Sequence, residues 1–465
     1  MKPSALSPRN KEGMSELSRH LVKAAVKAGA MHADALAVAD TGNSISVRNG
    51  CVESVEREDG CGIGLRAFVK TANGLAFASA SSSNVSQAGL AALAEQVVSM
   101  ARISEPDPDA VPPVGADHPD AAAIASWQKR HPEREAGWTL ADARQGALAC
   151  EETARSFSPE ITNSEGADAA FGTTHVAYAS SDGFAADYAK SSASLSVSVI
   201  AGTGEGMQRD YAWHRALHVS GLRDAEDLAR EAASRAVSRL GSKAMQSGKA
   251  TVLFEPRTAT SLLGHLIGAI NGRAVLQKRT FLAESSGQNI FPDFVSIHDD
   301  PDHADGMANR LFDGEGTRCA RRTIVDAGQL TGFMTDRYAA GRLKTRATGH
   351  ARRGLTGDTS IGPSNLIWQA GSLDQQAIIE SISHGLLVTE LIGFGVNGVT
   401  GDYSRGAGGF LIENGKIVRP VQGITIAGNL KDMFAGIAHV GSDMTWFGSS
   451  AVPSIAIEGM TVAGE

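Results

Sequence analysis

The sequence predicts an α+β fold, in which an N-terminal α/β region with antiparallel sheet and helices precedes a β-rich C-terminal domain. Three observations support this prediction. Short segments with alternating apolar residues are separated by Asn-Gly and Asp-Gly pairs, which are typical of tight hairpin turns. Amphipathic segments with helical spacing flank these short segments. From residue 250 onward glycine-rich β segments dominate, and predicted helices at 258–271 and 374–383 interrupt them.

The first predicted elements are a helix followed by an antiparallel meander. The helix covers 16–29, where apolar residues recur on one face and Gly29 marks the end. Strands are predicted at 44–48, 51–57, 62–70 and 75–79. The turns between them are assigned to Asn49-Gly50, Asp59-Gly60 and Asn73-Gly74. A second helix at 84–101 is expected to cover one face of this sheet.

A change in composition marks the first predicted domain boundary. Between 104 and 120 the chain has five prolines and almost no large apolar residue, which is typical of a linker. Beyond it we predict helices at 140–157 and 224–240, β segments at 161–189 and an alternating strand at 195–199. The predicted organisation is an N-terminal α+β domain (1–103), a linker (104–121), a middle α/β domain (122–245) and a β-rich C-terminal domain (246–465).

Charge and composition argue against several classes of function. The formal net charge of −8 opposes binding to the phosphate backbone of nucleic acid. No apolar stretch approaches the roughly 20 residues of a membrane span, and residues 1–13 lack the apolar core of a signal peptide. We therefore expect a cytoplasmic protein. The four cysteines show no C-x-x-C spacing, which predicts free thiols rather than a disulfide framework or a zinc ribbon.

Generic catalytic motifs are missing or lack the context that they need. The sequence contains no Walker A motif and no G-x-S-x-G, and no histidine precedes a glutamate, which excludes H-E-x-x-H. Residues 62–67 fit G-x-G-x-x-A, but a strand is predicted there instead of the start of a helix. Residues 298–303 combine two histidines with three aspartates, and we interpret them as an acidic loop. The pair His214 and His218 is interpreted as packing or surface residues.

A basic segment has two open interpretations. It contains Arg337, Arg342, Lys344, Arg346, Arg352 and Arg353. The segment is either a solvated loop or a surface that meets an acidic partner.

Several sequence blocks occur in a characteristic order in the second half of the chain. They are 262–270 (Leu-Leu-Gly-His-Leu-Ile-Gly-Ala-Ile), 278–282, 312–316, 348–351, 388–391, 401–410 (Gly-Asp-Tyr-Ser-Arg-Gly-Ala-Gly-Gly-Phe), 413–415 and 424–432. On these blocks the chain resembles the TldD/PmbA family, also called the modulator of DNA gyrase family, and is most similar to its PmbA/TldE branch. The block 401–410 is the most specific, and the resemblance extends from about residue 33 to the end.

This resemblance implies one subunit of a heterodimeric metalloprotease. In the family, the TldD-type subunit carries H-E-x-x-x-H on a helix and a C-terminal cysteine as zinc ligands, whereas the PmbA-type subunit lacks them. The corresponding positions here are Gly264, His265 and Ala269, and Cys319 is the last cysteine, so 444–450 cannot supply a thiolate. We expect no catalytic residue and no metal on this chain, and zinc on a TldD-type partner. A homodimer is the alternative assembly when that partner is absent.

The expected role of such a subunit is to support its partner and to bind an extended or unfolded peptide. The candidate substrate-binding residues are His265, Asp402, Tyr403 and Arg405. Glycines in the block 401–409 are expected either to leave the backbone accessible to a peptide or to form a structural turn.

The helix that carries the degenerate motif also has a structural interpretation. Its leucines are expected to pack in a core, and Gly264 and Gly268 are interpreted as points of close approach to a neighbouring element. His265 is either structural or part of a pocket. Two other functions stay open: a non-enzymatic modulator of DNA gyrase, and a stand-alone hydrolase that uses a residue such as His265 or His350.

Overall fold

The computed structural model of the chain describes residues 11–113, 115, 117–356 and 358–464. Most of the N-terminal segment that bears on a signal peptide, residues 1–10, lies outside the described residues. The predicted α+β class with a β-rich C-terminal region is confirmed. None of the helices in the described part of the chain is long and apolar enough to cross a bilayer.

One antiparallel six-stranded sheet organises the first half of the chain. Its strands and helices are α1 (Lys11–Lys27), β1 (His32–Arg48), β2 (Cys51–Thr71), β3 (Gly74–Ser82), α2 (Gln87–Ile103), α3 (Ala121–Arg130), α4 (Leu140–Ser156), β4 (Ile161–Ser180), β5 (Ala185–Ala201), β6 (Gln208–Ala216) and α5 (Ala225–Ser238). The strand order is β3-β2-β1-β4-β5-β6. Strands from both sides of the proline-rich segment 104–120 therefore belong to the same sheet.

Strand β2 is longer than the sequence patterns predict. The pair Asp59-Gly60, assigned to a turn, lies inside β2 and pairs with Thr41 and Asp40 of β1. That turn prediction is wrong because β1 offers an uninterrupted row of hydrogen-bonding partners, which outweighs the local preference of an Asp-Gly pair. The turn at Asn49-Gly50 is confirmed, since both residues have positive φ angles of 51° and 73°.

The helices cover this sheet in two groups. Helix α1 packs mainly on β1 and β4, beside α2, which packs on β2 and β3. Helix α4 packs mainly on β4 and β1, beside α5, which packs on β5 and β6. The helix α3 was not predicted, because its single large buried side chain, Trp127, gives no apolar periodicity. Trp127 meets Tyr188 of β5 edge to face, with ring centroids 5.4 Å apart. Phe312 of the C-terminal region packs against Tyr188 as well. The first sheet therefore contacts α3 and also the C-terminal region.

Two further six-stranded sheets, a two-stranded sheet and several helices form the C-terminal region. Its elements are β7 (Gly248–Phe254), α6 (Pro256–Ala269), α7 (Gly272–Leu276), β8 (Ile297–Asp299), β9 (Arg322–Asp326), β10 (Gln329–Leu330), α8 (Arg337–Leu343), β11 (Ala351–Arg352), β12 (Ser360–Ile361), β13 (Leu366–Trp368), α9 (Gln375–Ser381), β14 (His384–Ile392), β15 (Asp402–Glu413), β16 (Lys416–Asn429), α10 (Leu430–Ala435), β17 (Ile437–Val440), β18 (Thr445–Phe447), β19 (Ser450–Val452) and β20 (Ile455–Ala463). One sheet has the order β10-β9-β8-β13-β19-β18 and the other β16-β15-β14-β7-β20-β17. In the second sheet β16 also pairs with β20, so the sheet curls back on itself.

A buried ion network fixes the first sheet against the C-terminal region. Asp34 of β1 accepts hydrogen bonds from Arg66 Nη2 (2.8 Å), Tyr178 OH (3.0 Å) and Arg353 Nη1 (2.7 Å). Arg66 Nη1 also binds Glu315 Oε1 at 3.1 Å. Burial opposes ionisation of Asp34, but the charges of Arg353 and Arg66 outweigh it, so the pKa of this carboxyl lies below its usual value.

Candidate functional site along helix α6

Helix α6 carries the positions of the degenerate metal motif, and one face of this helix is buried. Pro256 occupies its first turn, where the missing N–H costs nothing. Leu262, Leu263 and Leu266 are fully buried and belong to the core that both C-terminal sheets share. The predicted core face is confirmed, and the residues between these leucines point away from it.

The two glycines of α6 do not serve close packing. A Cβ atom at Gly264 or at Gly268 would meet nothing within 4 Å. The interpretation of these glycines as points of close approach is therefore wrong. The neighbouring elements contact the leucine face of the helix, and both glycines leave a strip of exposed helix surface.

The motif positions offer little to a metal ion. Gly264 has no side chain, and the methyl group of Ala269 is buried with an exposure of 4 %. Strands β18 and β19 lie beside α6, and 444–450 contains no cysteine. Burial raises the pKa of the Cys319 thiol to about 12, and its Sγ donates to the Gly349 carbonyl. Across the ranges that the structure describes, no three His, Cys, Asp or Glu side chains form a metal-binding group.

Three of the four predicted substrate-binding residues come together beside α6. The ring of His265 meets the ring of Tyr403 edge to face, with centroids 5.8 Å apart and an interplanar angle of 82°. Arg405 lies two residues after Tyr403 on β15, and side chains two apart on a strand share a face. Asp402 is exposed and accepts hydrogen bonds from Thr400 Oγ1 (2.6 Å) and Asn429 Nδ2 (3.2 Å). It is the first residue of β15 and lies three positions before Arg405, on the opposite face of the strand.

The three clustered side chains have unused hydrogen-bonding capacity. His265 Nε2, Tyr403 OH and Arg405 Nε are buried atoms without a hydrogen-bond partner among the described residues. Burial, followed by the charge of Arg405, lowers the pKa of His265, so its imidazole is neutral at pH 7. Burial raises the pKa of Tyr403 to about 12, so its phenol keeps its proton. The cluster therefore combines one cation with two neutral polar groups, of which the Tyr403 side chain is only 2 % exposed.

A groove runs along the N-terminal half of α6. A cleft of about 290 Å³ is lined by Arg405 together with Thr258 and Ser261 of α6. An adjoining cavity of about 440 Å³ extends between β6 and β18. The two share the lining residues Tyr211 and Arg257. We refer to these two cavities together as the α6 groove.

Most charges in the α6 groove neutralise one another. Asp210, 2 % exposed, receives Arg257 Nη1 at 2.7 Å and Arg239 Nη1 at 3.3 Å. Arg239 also contacts Glu390 of β14. No carboxylate pairs with Arg405 in the described part of the chain. No local motif marks Asp210, Arg239 or Arg257, because these residues lie far apart in the chain. Glu390 falls within the block 388–391, but that block does not indicate which residue pairs with its charge.

The glycine-rich block 401–409 does not expose its backbone to a peptide. Strand β15 pairs with β14 on one side and with β16 on the other. A Cβ atom at Gly409 would lie 1.8 Å from the carbonyl oxygen of Leu387. The accessible-backbone interpretation is therefore wrong for the strand, where glycine permits close strand packing. The structural-turn interpretation holds for Gly401, whose φ is +85°.

The acidic loop 298–303 has structural contacts. Asp299 Oδ2 lies 3.1 Å from Nε2 of the buried His350, and Asp302 pairs with Arg130 at the end of α3 (2.6 Å). The ring of His303 lies 5.0 Å from that of Trp446. The interpretation of an acidic loop holds for 300–303, whereas it is wrong for His298 and Asp299, which lie in β8 because β9 and β13 pair with them on both sides.

The remaining candidate segments, which are 62–67, the histidine pair and the basic segment, contain residues that lie in strands or make structural contacts. Residues 62–67 lie inside β2, as expected for a strand. His214 lies on β6, and His218 accepts a hydrogen bond from Ser220 N in the next turn. In the basic segment the Arg353 side chain is 1 % exposed and paired with Asp34, so a solvated loop does not describe this residue.

Comparison with known proteins places the chain in a family. Three domain models of the PmbA/TldA metallopeptidases match it: domain 1 at 33–101, the central domain at 133–240 and the C-terminal domain at 247–464. The chain belongs to the PmbA/TldD family. Metalloprotease PmbA of Escherichia coli O157:H7 is 36 % identical over 91 % of this chain and 90 % of that protein. A PmbA homologue of Haemophilus influenzae is 31 % identical over the full length of both chains.

Solved structures share the family fold. A proposed modulator of DNA gyrase from Bacteroides thetaiotaomicron has a TM-score of 0.85 and 25 % identity, over 98 % of this chain and 100 % of that chain. TldE from Thermococcus kodakarensis has a TM-score of 0.83 over 96 % of this chain and 99 % of that chain, and its 20 % identity supports the fold alone. The resemblance to the PmbA/TldE branch is confirmed. Relatives of this chain are named metalloproteases, which makes it a member of a peptidase family.

Proposed function

We propose that this chain is the zinc-free subunit of a heterodimeric TldD/TldE-type metalloprotease, and that a zinc-binding TldD-type partner supplies the catalytic metal. The observation that carries the proposal is the chemistry of α6. This helix borders a polar groove, yet Gly264 and Ala269 provide no donor atom where the family's zinc ligands are expected. His265 replaces the general-base carboxylate with an imidazole that is neutral at pH 7.

The proposed contribution of this subunit is to bind an extended or unfolded peptide. The α6 groove has room for several side chains, and it is bordered by β6, the outermost strand of its sheet in the described ranges. An extended peptide can pair with the edge of such a strand through backbone hydrogen bonds, which require little sequence preference. Arg405 lines the groove and offers a charge to a peptide carboxylate, with the buried Tyr403 and the half-buried His265 beside it.

The first test measures zinc content and peptidase activity of the chain alone and after co-purification with a TldD-type subunit of the same organism. We expect stoichiometric zinc and chelator-sensitive cleavage of an unfolded protein only in the complex. Zinc or chelator-resistant peptidase activity in the lone chain would contradict the proposal, and the second result would favour a stand-alone hydrolase.

A matched pair of variants tests the peptide-binding role of the groove. Arg405→Gln is expected to lower kcat/KM of the reconstituted complex about 10-fold or more, because a hydrogen bond to a charged group contributes about 1.5–3 kcal/mol. Asp402→Asn is the control, since Asp402 lies in the same sequence block but on the opposite face of β15. Both variants should co-purify with the partner. Equal activities of Arg405→Gln and Asp402→Asn would remove Arg405 from the binding role.

A further inference from the structure

A second polar cavity lies between the first sheet and the C-terminal region. Its volume is about 390 Å³, within the usual range of small-molecule sites. It shares no lining residue with the two cavities of the α6 groove. The cavity is therefore separate from the α6 groove, and ligand binding in it does not depend on the proposed peptidase function.

The cavity has one apolar and one cationic wall. Strands of the first sheet and the segment before β9 supply the apolar wall, which is formed by Leu36, Val38, Val176, Tyr188 and Phe312. The rings of Tyr188 and Phe312 meet edge to face, with centroids 5.3 Å apart. The cationic wall consists of Lys190, Arg310, Arg352 and Arg353. Two of these arginines come from the basic segment that sequence analysis left with two interpretations.

Three of the four cations have no carboxylate partner in the part of the chain that the structure describes. Arg310, 9 % exposed, donates from Nε to Ser364 Oγ (2.9 Å) and from Nη2 to the Gly362 carbonyl (3.0 Å). Arg352 donates to the carbonyl of Pro363. Lys190 makes neither an ion pair nor a hydrogen bond with the described residues. These contacts orient the guanidinium groups. The charges of Asp313 and Asp299 favour the ionised form of Arg310 without forming an ion pair with it, and Lys190 and Arg352 are exposed.

Arg353 adds a buried donor to the same wall. Its side chain is 1 % exposed, and Nη1 binds Asp34 at 2.7 Å. Its Nε and Nη2 have no hydrogen-bond partner among the described residues. Buried guanidinium donors are normally satisfied, so these two nitrogens indicate a missing acceptor in or beside the cavity.

The two acidic residues of the lining are already engaged. Asp313 accepts hydrogen bonds from the backbone N–H groups of Glu315, Thr317 and Ala351, and burial together with Glu315 raises its pKa. Asp358 pairs with Arg273 at 2.8 Å. Neither carboxylate forms an ion pair with the cationic wall among the described residues, although the charge of Asp313 favours the ionised form of Arg310.

The cations also raise one another's electrostatic energy. Lys190 is exposed at the cavity rim, but partial desolvation there, followed by the charges of Arg352, Arg310 and Arg215, lowers its pKa, and Asp40 offsets this only in part. Burial and then Arg310 lower the pKa of Arg352. Such mutual repulsion is relieved by an anion that sits between the like charges.

We propose that this cavity binds an organic phosphate, with the phosphate against Lys190, Arg310 and Arg352 and an apolar or aromatic body against Tyr188 and Phe312. A phosphomonoester carries about −1.5 to −2 charges at pH 7, which matches three cations without an ion-pair partner better than a single carboxylate does. The planar fork of arginine suits phosphate oxygens. The apolar wall favours a ligand of nucleotide size over inorganic phosphate.

The test is calorimetric titration of the full chain, without a partner, using adenosine monophosphate, inorganic phosphate, adenosine and citrate as probes. We expect adenosine monophosphate to bind most tightly, inorganic phosphate more weakly, and adenosine not measurably. The affinity should fall as salt is raised. Absence of binding by both phosphate compounds at millimolar concentration would overturn the proposal, as would citrate that binds as tightly as adenosine monophosphate.

Two variants and a charge-matched control locate the site. Lys190→Gln and Arg352→Gln should each weaken binding of adenosine monophosphate at least 10-fold. Arg321→Gln removes the same charge from an exposed side chain outside the cavity and should leave the affinity unchanged. An unchanged affinity in both cavity variants would overturn the site.

Thermal stability without ligand separates binding from a structural role. Lys190→Gln relieves like-charge repulsion, so the ligand-free variant should melt at the wild-type temperature or above it. It should also lose the stabilisation that adenosine monophosphate gives the wild type. A variant that melts clearly below wild type and keeps its affinity would show that Lys190 is a structural residue, which contradicts the proposal.

Discussion

Replacing Asp34 with alanine is expected to lower the free energy of unfolding by about 3–5 kcal/mol. The substitution removes the carboxylate that pairs with both Arg66 and Arg353 inside the protein. Arg66 keeps Glu315 as a partner, but Arg353 loses the only carboxylate that pairs with it among the described residues. A buried guanidinium without a counter-charge is costly, so the loss exceeds that of an ordinary surface ion pair. Urea unfolding followed by circular dichroism measures the effect.

The control for Asp34→Ala is an exposed ion pair of the same type. Glu226 and Arg230 lie one helical turn apart on α5, and their side chains are 62 % and 59 % exposed. Glu226→Ala should cost only about 0.3–0.5 kcal/mol, because solvent screens the pair. A loss below about 1 kcal/mol in Asp34→Ala, on the scale of surface pairs, would contradict the network's role.

The effect of Asp34→Ala should depend on pH in one direction. The pKa of Asp34 is lower in the folded chain than the value of about 3.9 expected for an unfolded chain. Its contribution is therefore fully present above pH 4, and it is lost as pH falls through the folded pKa. The difference between wild type and variant should shrink in unfolding curves recorded at progressively more acidic pH. A constant difference would mean that packing, not charge, dominates.

Replacing Gly409 with alanine is expected to destabilise the chain by about 3 kcal/mol or more. The new Cβ would lie 1.8 Å from the carbonyl oxygen, and 2.9 Å from the carbonyl carbon, of Leu387 on β14. Both atoms are backbone, so no side-chain rotation relieves the clash and the two strands must separate. The strand register shifts between Val388 and Glu390, which face this part of β15. The melting temperature and the soluble yield of the variant measure the loss.

Gly264→Ala is the matched control on α6. A Cβ there meets open space, and alanine inside a helix is favoured over glycine by about 0.5–1 kcal/mol. This variant should therefore melt at or slightly above the wild-type temperature. A Gly409→Ala protein as stable as wild type would show that β15 and β14 can move apart freely. A marked loss in Gly264→Ala would mean that another element covers this helix surface.

Local sequence patterns were sufficient for several features of this protein. The leucine spacing of α6 predicts its buried face, and the Asn49-Gly50 pair predicts a turn that the structure confirms. The residues at Gly264, Ala269 and 444–450 contain no zinc ligand, which follows from chemistry without any coordinates. These features depend on residue type or on neighbours within a few positions, so a sequence alone can specify them.

Sheet pairing outweighed local patterns elsewhere. Asp59-Gly60 has the composition of a turn, but β1 holds it in a strand, and the glycines of β15 pack against β14. Asp402 and Arg405 are close in sequence, yet the alternation of β15 places them on opposite faces of the strand. Such outcomes depend on which strand becomes a neighbour, and a local pattern does not contain that information.

The sequence by itself determined the fold class, the family blocks and the residue types Gly264 and Ala269, which carry no donor atom in their side chains. Only the tertiary structure decided which charges meet. Asp34 and Arg353 are 319 positions apart, and Arg239 and Glu390 are 151 apart. The α6 groove and the second polar cavity, which has the cationic wall, are likewise assembled from distant segments. The physical reason is that electrostatic contacts depend on distance in space and on burial, and both are fixed only when the sheets and helices pack together.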